Sequence, residues 1–127
     1  MSAQRLAAGF TLIELLVVMA ILALLLTIAA PRYFHSVDAA KESVLRENLR
    51  VTRDAIAHFR GDLGRYPDSL DELVTRKYLS APPMDPITSS NATWELIPPS
   101  DEVKGNVADL RSGALGSGRD GSAFRDW

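Results

Sequence analysis

The sequence predicts an α+β protein in which a long N-terminal α-helix packs on a small antiparallel β-sheet with a loop-rich C-terminus. Three observations carry this. Phe10 to Ala30 is a nearly unbroken apolar run; from Tyr33 to Arg60 apolar residues recur close to a 3.6-residue period; and after Gly61 that period is lost and turn-forming residues take over. The chain accordingly divides into a short polar leader (1–9), an apolar helical segment (10–30), an amphipathic half of the same helix (31–60) and a small globular domain (61–127).

The apolar segment holds only three polar residues, Thr11, Glu14 and Thr27. Its roughly 21 residues, at ~1.5 Å each, are just enough to cross a ~30 Å hydrocarbon core. Pro31 removes a backbone donor, and because helical patterning resumes at once it is predicted to kink the helix rather than end it. Beyond it Val37, Ala40, Val44, Val51, Ala55 and Phe59 form an apolar stripe, widened by Leu45, Leu49 and Ile56. Asp38, Lys41, Glu42, Arg46, Glu47, Arg50 and Asp54 occupy the other side, with Glu42/Arg46 and Arg50/Asp54 expected as ion pairs one turn apart. Gly61 and Gly64 supply the stop.

In the small domain Ser69 to Tyr78 reads as one short helix, capped by Asp68 or Ser69 and with Asp71 and Glu72 in its first turn. Pro82-Pro83, Asp85-Pro86 and Ser89-Ser90-Asn91 are turn chemistry. Thr93 to Ile97 and Val107 to Leu110 are short candidate strands. So small a sheet cannot stand alone in water, which is why the apolar stripe of the long helix is expected to cover one face. The glycine-rich tail closes with Phe124 and Trp127, two aromatics expected to fold back onto the domain.

Composition excludes several functions. Without cysteine there is no disulfide framework, thiolate metal site or cysteine nucleophile. A net charge of −2 with scattered basic residues lacks the electrostatic footprint of a nucleic-acid binder. His35 and His58 lie far apart along one helix with no evident carboxylate or nucleophile partner, and no nucleophile-elbow, metalloprotease or phosphate-loop motif is present. Catalysis is not expected.

Glu14 is the feature that composition does not explain. A charge at membrane depth costs roughly 2.5–3.5 kcal/mol on insertion scales, so a carboxylate there calls for a partner. The run Gly9-Phe10-Thr11-Leu12-Ile13-Glu14 resembles the processing and assembly signal of type IV pilins and type II secretion pseudopilins. In that superfamily a prepilin peptidase of the inner membrane cuts after the glycine and methylates the new N-terminal phenylalanine. The resemblance implies cleavage between Gly9 and Phe10 and N-methylation of Phe10; Glu14 would become the fifth residue of the mature chain and Pro31 the twenty-second. The freed ammonium at Phe10, in the same chain or a neighbouring subunit, is then the partner a buried carboxylate requires.

Past the helix the chain looks most like the major, G-type pseudopilin. The features concerned are Tyr66-Pro67, the helix near Ser69 to Tyr78, Asp85-Pro86, and a strand pair leading to a Gly/Asp-rich loop that ends in Trp127. A pilus-forming pilin usually carries a cysteine pair, absent here. This resemblance implies a type IV pilin-like fold and a non-enzymatic structural subunit that self-associates into a filament serving protein export across the outer membrane. Its partners would be prepilin peptidase, other pseudopilins and an inner-membrane assembly platform. It would sit as a single-pass protein in the bacterial inner membrane, N-terminus cytoplasmic before cleavage and C-terminal domain periplasmic; Arg5 agrees with that orientation. No cofactor is required, although the family implies a structural calcium in the C-terminal loop, for which Asp120 and Asp126 are the candidate ligands and against which Arg119 and Arg125 stand. The alternatives are a type IV pilin for adhesion, motility or DNA uptake, an anchored periplasmic binding module, an ordinary single-pass anchor, and a secretory signal peptide cut near Ala29 or Ala30. Pro31, the length of the run and its internal acid speak against the last.

Overall fold

The structure, a computed structural model, describes residues 9–127. Arg5 and most of the expected leader lie outside the described residues. Helix α1 spans Leu12–Leu63, followed by α2 (Leu70–Thr75), strands β1 (Glu95–Ile97) and β2 (Asp109–Arg111), and a closing 3₁₀ turn at Phe124–Asp126. The chain forms two units, one ending at Val37 and one comprising Asp38–Trp127.

In the first unit every side chain from Phe10 to Ala29 is exposed, so apart from Thr11, Glu14 and Thr27 the segment is apolar all round, a pattern that fits a membrane anchor. Its best window has a mean hydropathy of 2.9, and it is the one helix among the described residues long and apolar enough to cross a membrane. Helical structure continues through Pro31, so the proline does not end α1. Thr27 returns its hydroxyl to the Ala23 carbonyl at 2.8 Å, which satisfies that polar group inside the helix.

In the second unit α1 buries one side of the expected stripe, that of Leu45, Leu49, Ala55, Ile56 and Phe59, and leaves its other edge uncovered. Glu42, Leu45, Leu49, Thr52, Ala55, Ile56 and Phe59 are buried, whereas Ala40 is exposed and Val44 and Val51 stay 47% and 40% exposed. Both edges of the stripe are helical in period, and period alone cannot tell which of them faces the core. Two polar residues sit on the buried face because each finds a partner: Thr52 gives its hydroxyl to the Asn48 carbonyl at 2.7 Å, and Glu42 meets Arg119. The expected Glu42/Arg46 pair is therefore absent, both groups having turned to the C-terminal loop. Arg50 does pair with Asp54 at 3.0 Å, and with Glu47 at 2.6 Å. α1 passes through Gly61 and stops at Gly64, whose φ of +70° suits a residue without a side chain.

Of the two caps the sequence allows for α2, Asp68 and Ser69, the structure uses Ser69. Ser69 Oγ accepts from the Glu72 N–H at 3.3 Å, and Glu72 Oε1 reaches back to the Asp68 N–H at 3.3 Å. Its end comes three residues before the expected Tyr78. Lys77 takes the left-handed conformation (φ 66°) and donates to the Val74 carbonyl, while the Tyr78 N–H returns to Leu73, a Schellman ending built on lysine where glycine is usual.

The strands pair antiparallel with Glu95 opposite Arg111, Leu96 opposite Leu110 and Ile97 opposite Asp109. Both are shorter than expected, and β2 is displaced toward the C-terminus. Thr93 and Trp94 lie outside β1, their side chains bonded to Thr88 Oγ1 (2.6 Å) and the Pro83 carbonyl (2.8 Å). Val107 drops out of β2 because its N–H is taken by the Pro67 carbonyl at 3.0 Å. The core joins Leu45, Leu49, Ile56 and Phe59 of α1 to Leu73, Trp94, Val107, Leu110 and Phe124. Asp85, fully buried, anchors the intervening turn. Its Oδ1 accepts from the Ile87 N–H at 2.9 Å, and Oδ2 accepts from the Ser112 hydroxyl just past β2.

The tail folds back as its aromatics predict. Phe124 is buried, Trp127 crosses it edge to face at 5.0 Å, and the Arg46 guanidinium lies 3.8 Å from the Trp127 ring centroid.

Candidate functional site

Gly9, Phe10 and Thr11 form the lead-in to α1. All are exposed, Phe10 at 80%. A Cβ built on Gly9 would meet nothing within 4 Å, and its backbone is not in the left-handed region. Nothing among the described residues therefore demands glycine there.

Thr11 is a residue whose role sequence reading missed. Its Oγ1 accepts from the Glu14 N–H at 3.1 Å, making Thr11 the N-cap of α1 and placing Glu14 three residues on. The signal was present as T-x-x-E, the capping-box spacing. Glu14 thus sits in the first turn, where the helix dipole favours a negative charge. With Thr11 and Thr27 both engaged on backbone, Glu14 is the member of the apolar run whose side chain makes no hydrogen bond or ion pair among the described residues. The arrangement is an accessible peptide bond followed by a capped helix carrying an acid poised for a cation. Pro31 lies well along the same helix.

The loop residues singled out for calcium have a different geometry. Asp120 Oδ1 accepts from the Ser122 N–H at 2.9 Å and from its hydroxyl at 2.6 Å, while Oδ2 faces Arg46 at 3.4 Å. The Ser122 bonds, with the Arg46 charge behind them, hold the Asp120 carboxyl below its ordinary value. Asp126 sits exposed in the closing turn, and its N–H goes to the Ala123 carbonyl. Among the described residues no group of three or more carboxylates and histidines comes together, and Arg46 and Arg119 stand against the acids that are near. Calcium takes six to eight oxygens, so these residues do not fit it. His35 and His58 are both exposed on α1.

Comparison with known proteins agrees with the N-terminal geometry. Residues 4–30 match the family described as the prokaryotic N-terminal methylation motif. The chain is 29% identical over 69 residues to the type II secretion system core protein G of Xanthomonas campestris pv. campestris, covering 54% of this chain and 48% of that protein. It is 37% identical over 65 residues to the type IV major pilin protein PilA of Myxococcus xanthus, covering 51% and 30%. Over 103 residues it is 32% identical to the prepilin peptidase-dependent protein A of Clostridium perfringens, covering 80% and 64%. The chain thus spans less than two thirds of the length of each of these relatives, whose names are those of pilin and secretion-system proteins rather than enzymes. No solved structure matches it. The methylation motif, the long helix that carries it, the small sheet beside it and these three similarities agree with one superfamily, that of type IV pilins and type II secretion pseudopilins.

Proposed function

We propose that this chain is a structural subunit of a type II secretion pseudopilus. Prepilin peptidase removes a leader of residues 1–9 by cutting between Gly9 and Phe10, and Phe10 is then methylated. Residues 10–30 hold the subunit in the bacterial inner membrane and later form the filament core, 31–60 continue that helix, and 61–127 form the periplasmic domain. The helical filament, built with other pseudopilins on an inner-membrane platform, drives export across the outer membrane.

The observation that carries this reading is Glu14, an acid with no partner among the described residues, in the first turn of a helix whose first half is otherwise apolar, shortly after an exposed Gly9-Phe10 bond. Cleavage creates an ammonium group at Phe10, one turn from the acid. A carboxylate and an ammonium leaving water together are each other's compensation, and a neighbour's terminus can supply the cation as a subunit is drawn from the bilayer. The exposed Ala40, Val44 and Val51, with the Arg50-paired Glu47 among them, support association by offering an adjoining helix a small apolar strip beside a charged group. A head-to-tail contact of unlike surfaces is what an open helical filament requires.

The test is Glu14→Ala in cells. The variant is expected to be inserted and cleaved as the parent is, yet to be missing from filaments sheared from the cell surface. Normal incorporation overturns the proposal, as does a mature chain that still begins before Phe10. The similarity to a type IV major pilin favours a second reading, a pilin serving adhesion, motility or DNA uptake. Deleting the chain separates the two: lost export with surface pili intact supports the pseudopilus, and lost pili with export intact supports the pilin.

A further inference from the structure

Two acids and two arginines cross between α1 and the loop before the C-terminal turn. Glu42 accepts the Arg119 main-chain N–H through Oε1 at 2.6 Å and its guanidinium Nε through Oε2 at 2.8 Å. Arg46, one turn along, reaches Asp120 at 3.4 Å while stacking on Trp127. The helix thus presents acid then base and the loop base then acid, so each charge faces its opposite. The Trp127 indole closes the ring by donating to Ser122 Oγ at 2.6 Å, and Ser122 donates to Asp120. The packing at Gly118 is tight, since a Cβ there would lie 2.4 Å from Trp127 Cζ2 and 3.2 Å from Glu42 Oε1.

We propose that this crossed pair is a metal-free clamp, in which the guanidinium groups of Arg119 and Arg46 supply the positive charge that a divalent cation would otherwise bring to the C-terminal loop. Both oxygens of Glu42 are engaged by Arg119, whose second contact is a fixed backbone amide, so the acid is held in one geometry without further ligands. A divalent ion entering here would meet two guanidinium groups first. The anchoring of residues 118–127 is then set by salt and acidity rather than by calcium.

The experiment uses the full chain in detergent micelles, with thermal unfolding followed by tryptophan fluorescence. The parent is expected to melt at one temperature in excess calcium and in excess chelator. Glu42→Gln and Arg119→Gln are each expected to lower Tm by about 5 °C, and the double variant to fall no further than the worse single one, the signature of a shared interaction. A fall in the parent's Tm on chelation overturns the proposal, and so do single effects that add in the double variant. Should Glu42→Gln fail to fold, the same cycle at Arg46 and Asp120, both more than half exposed, reads the other arm. Because the isolated chain is measured, the outcome does not depend on whether filaments form.

Discussion

Replacing Asp85 by alanine tests whether the buried turn is held by its carboxylate. Asp85 is 0% exposed, and it accepts from the Ile87 N–H, from the Ser112 hydroxyl and, at 3.4 Å, more weakly from the Thr88 N–H. Ser112, equally buried, also accepts from the Ala114 N–H, so the network ties the turn to the segment leaving β2. Orphaning a buried donor costs about 1–3 kcal/mol, and two of these donors are well placed, so the loss is about 4 kcal/mol once the missing carboxylate volume is included. For a domain of this size that lowers Tm by roughly 15–30 °C. Asp85→Asn keeps an oxygen for Ile87 and places an amide against Ser112, and is expected to cost about 1–2 kcal/mol. Urea titration of the full chain in micelles measures both, with a falling midpoint and an unchanged slope marking a true stability effect. An alanine variant within about 0.5 kcal/mol of the parent refutes the reasoning, and so does an asparagine variant as damaged as the alanine one.

Phe59, fully buried and crossed by Tyr78 at 5.4 Å, is expected to cost about 3–5 kcal/mol on replacement by alanine, by the same titration. Gly105→Ala forces a side chain onto φ +117° and 2.3 Å from the Tyr66 carbonyl, and a loss of about 1–3 kcal/mol is expected. Acid should weaken the domain. The Arg65 guanidinium, bonded to Glu72 at 2.8 Å, holds the Glu72 carboxyl below its ordinary 4.5, so its contribution is fully present above that pH and is lost as pH falls through the lower folded value. Glu72→Gln should therefore flatten the fall in Tm below pH 4.5, and an unaltered profile counts against the bridge. Val44→Asp and Val51→Asp, on the uncovered stripe, should leave Tm within a few degrees yet remove the chain from sheared filaments.

The parts that periodicity and composition made legible are those set by local rules. The apolar helix, the start of α2 at Asp68 or Ser69, the Gly64 stop and the returning Phe124 and Trp127 all follow from residues close in sequence. The candidate residues Gly9, Phe10 and Glu14 lie within one short stretch of sequence, which is why they could be proposed without a structure, and the Thr11 cap could have been read from its spacing to Glu14. What escaped depends on contacts made at long range. Glu42 looked solvated because its partner is 77 residues away; Val107 looked like a strand because nothing nearby announces that Pro67 takes its N–H; and the Lys77 turn has no sequence signature, since lysine is not a residue that favours positive φ. Which edge of the α1 stripe is covered is likewise a tertiary decision.

That choice gives every copy a front and a back. The globular part grips only the Leu45–Leu49–Phe59 side of the helix it encloses, leaving the Val44–Val51 side bare. If copies assemble as proposed, that bare strip is what an adjoining helix can approach without disturbing the fold, so docking and folding draw on different residues of one helix.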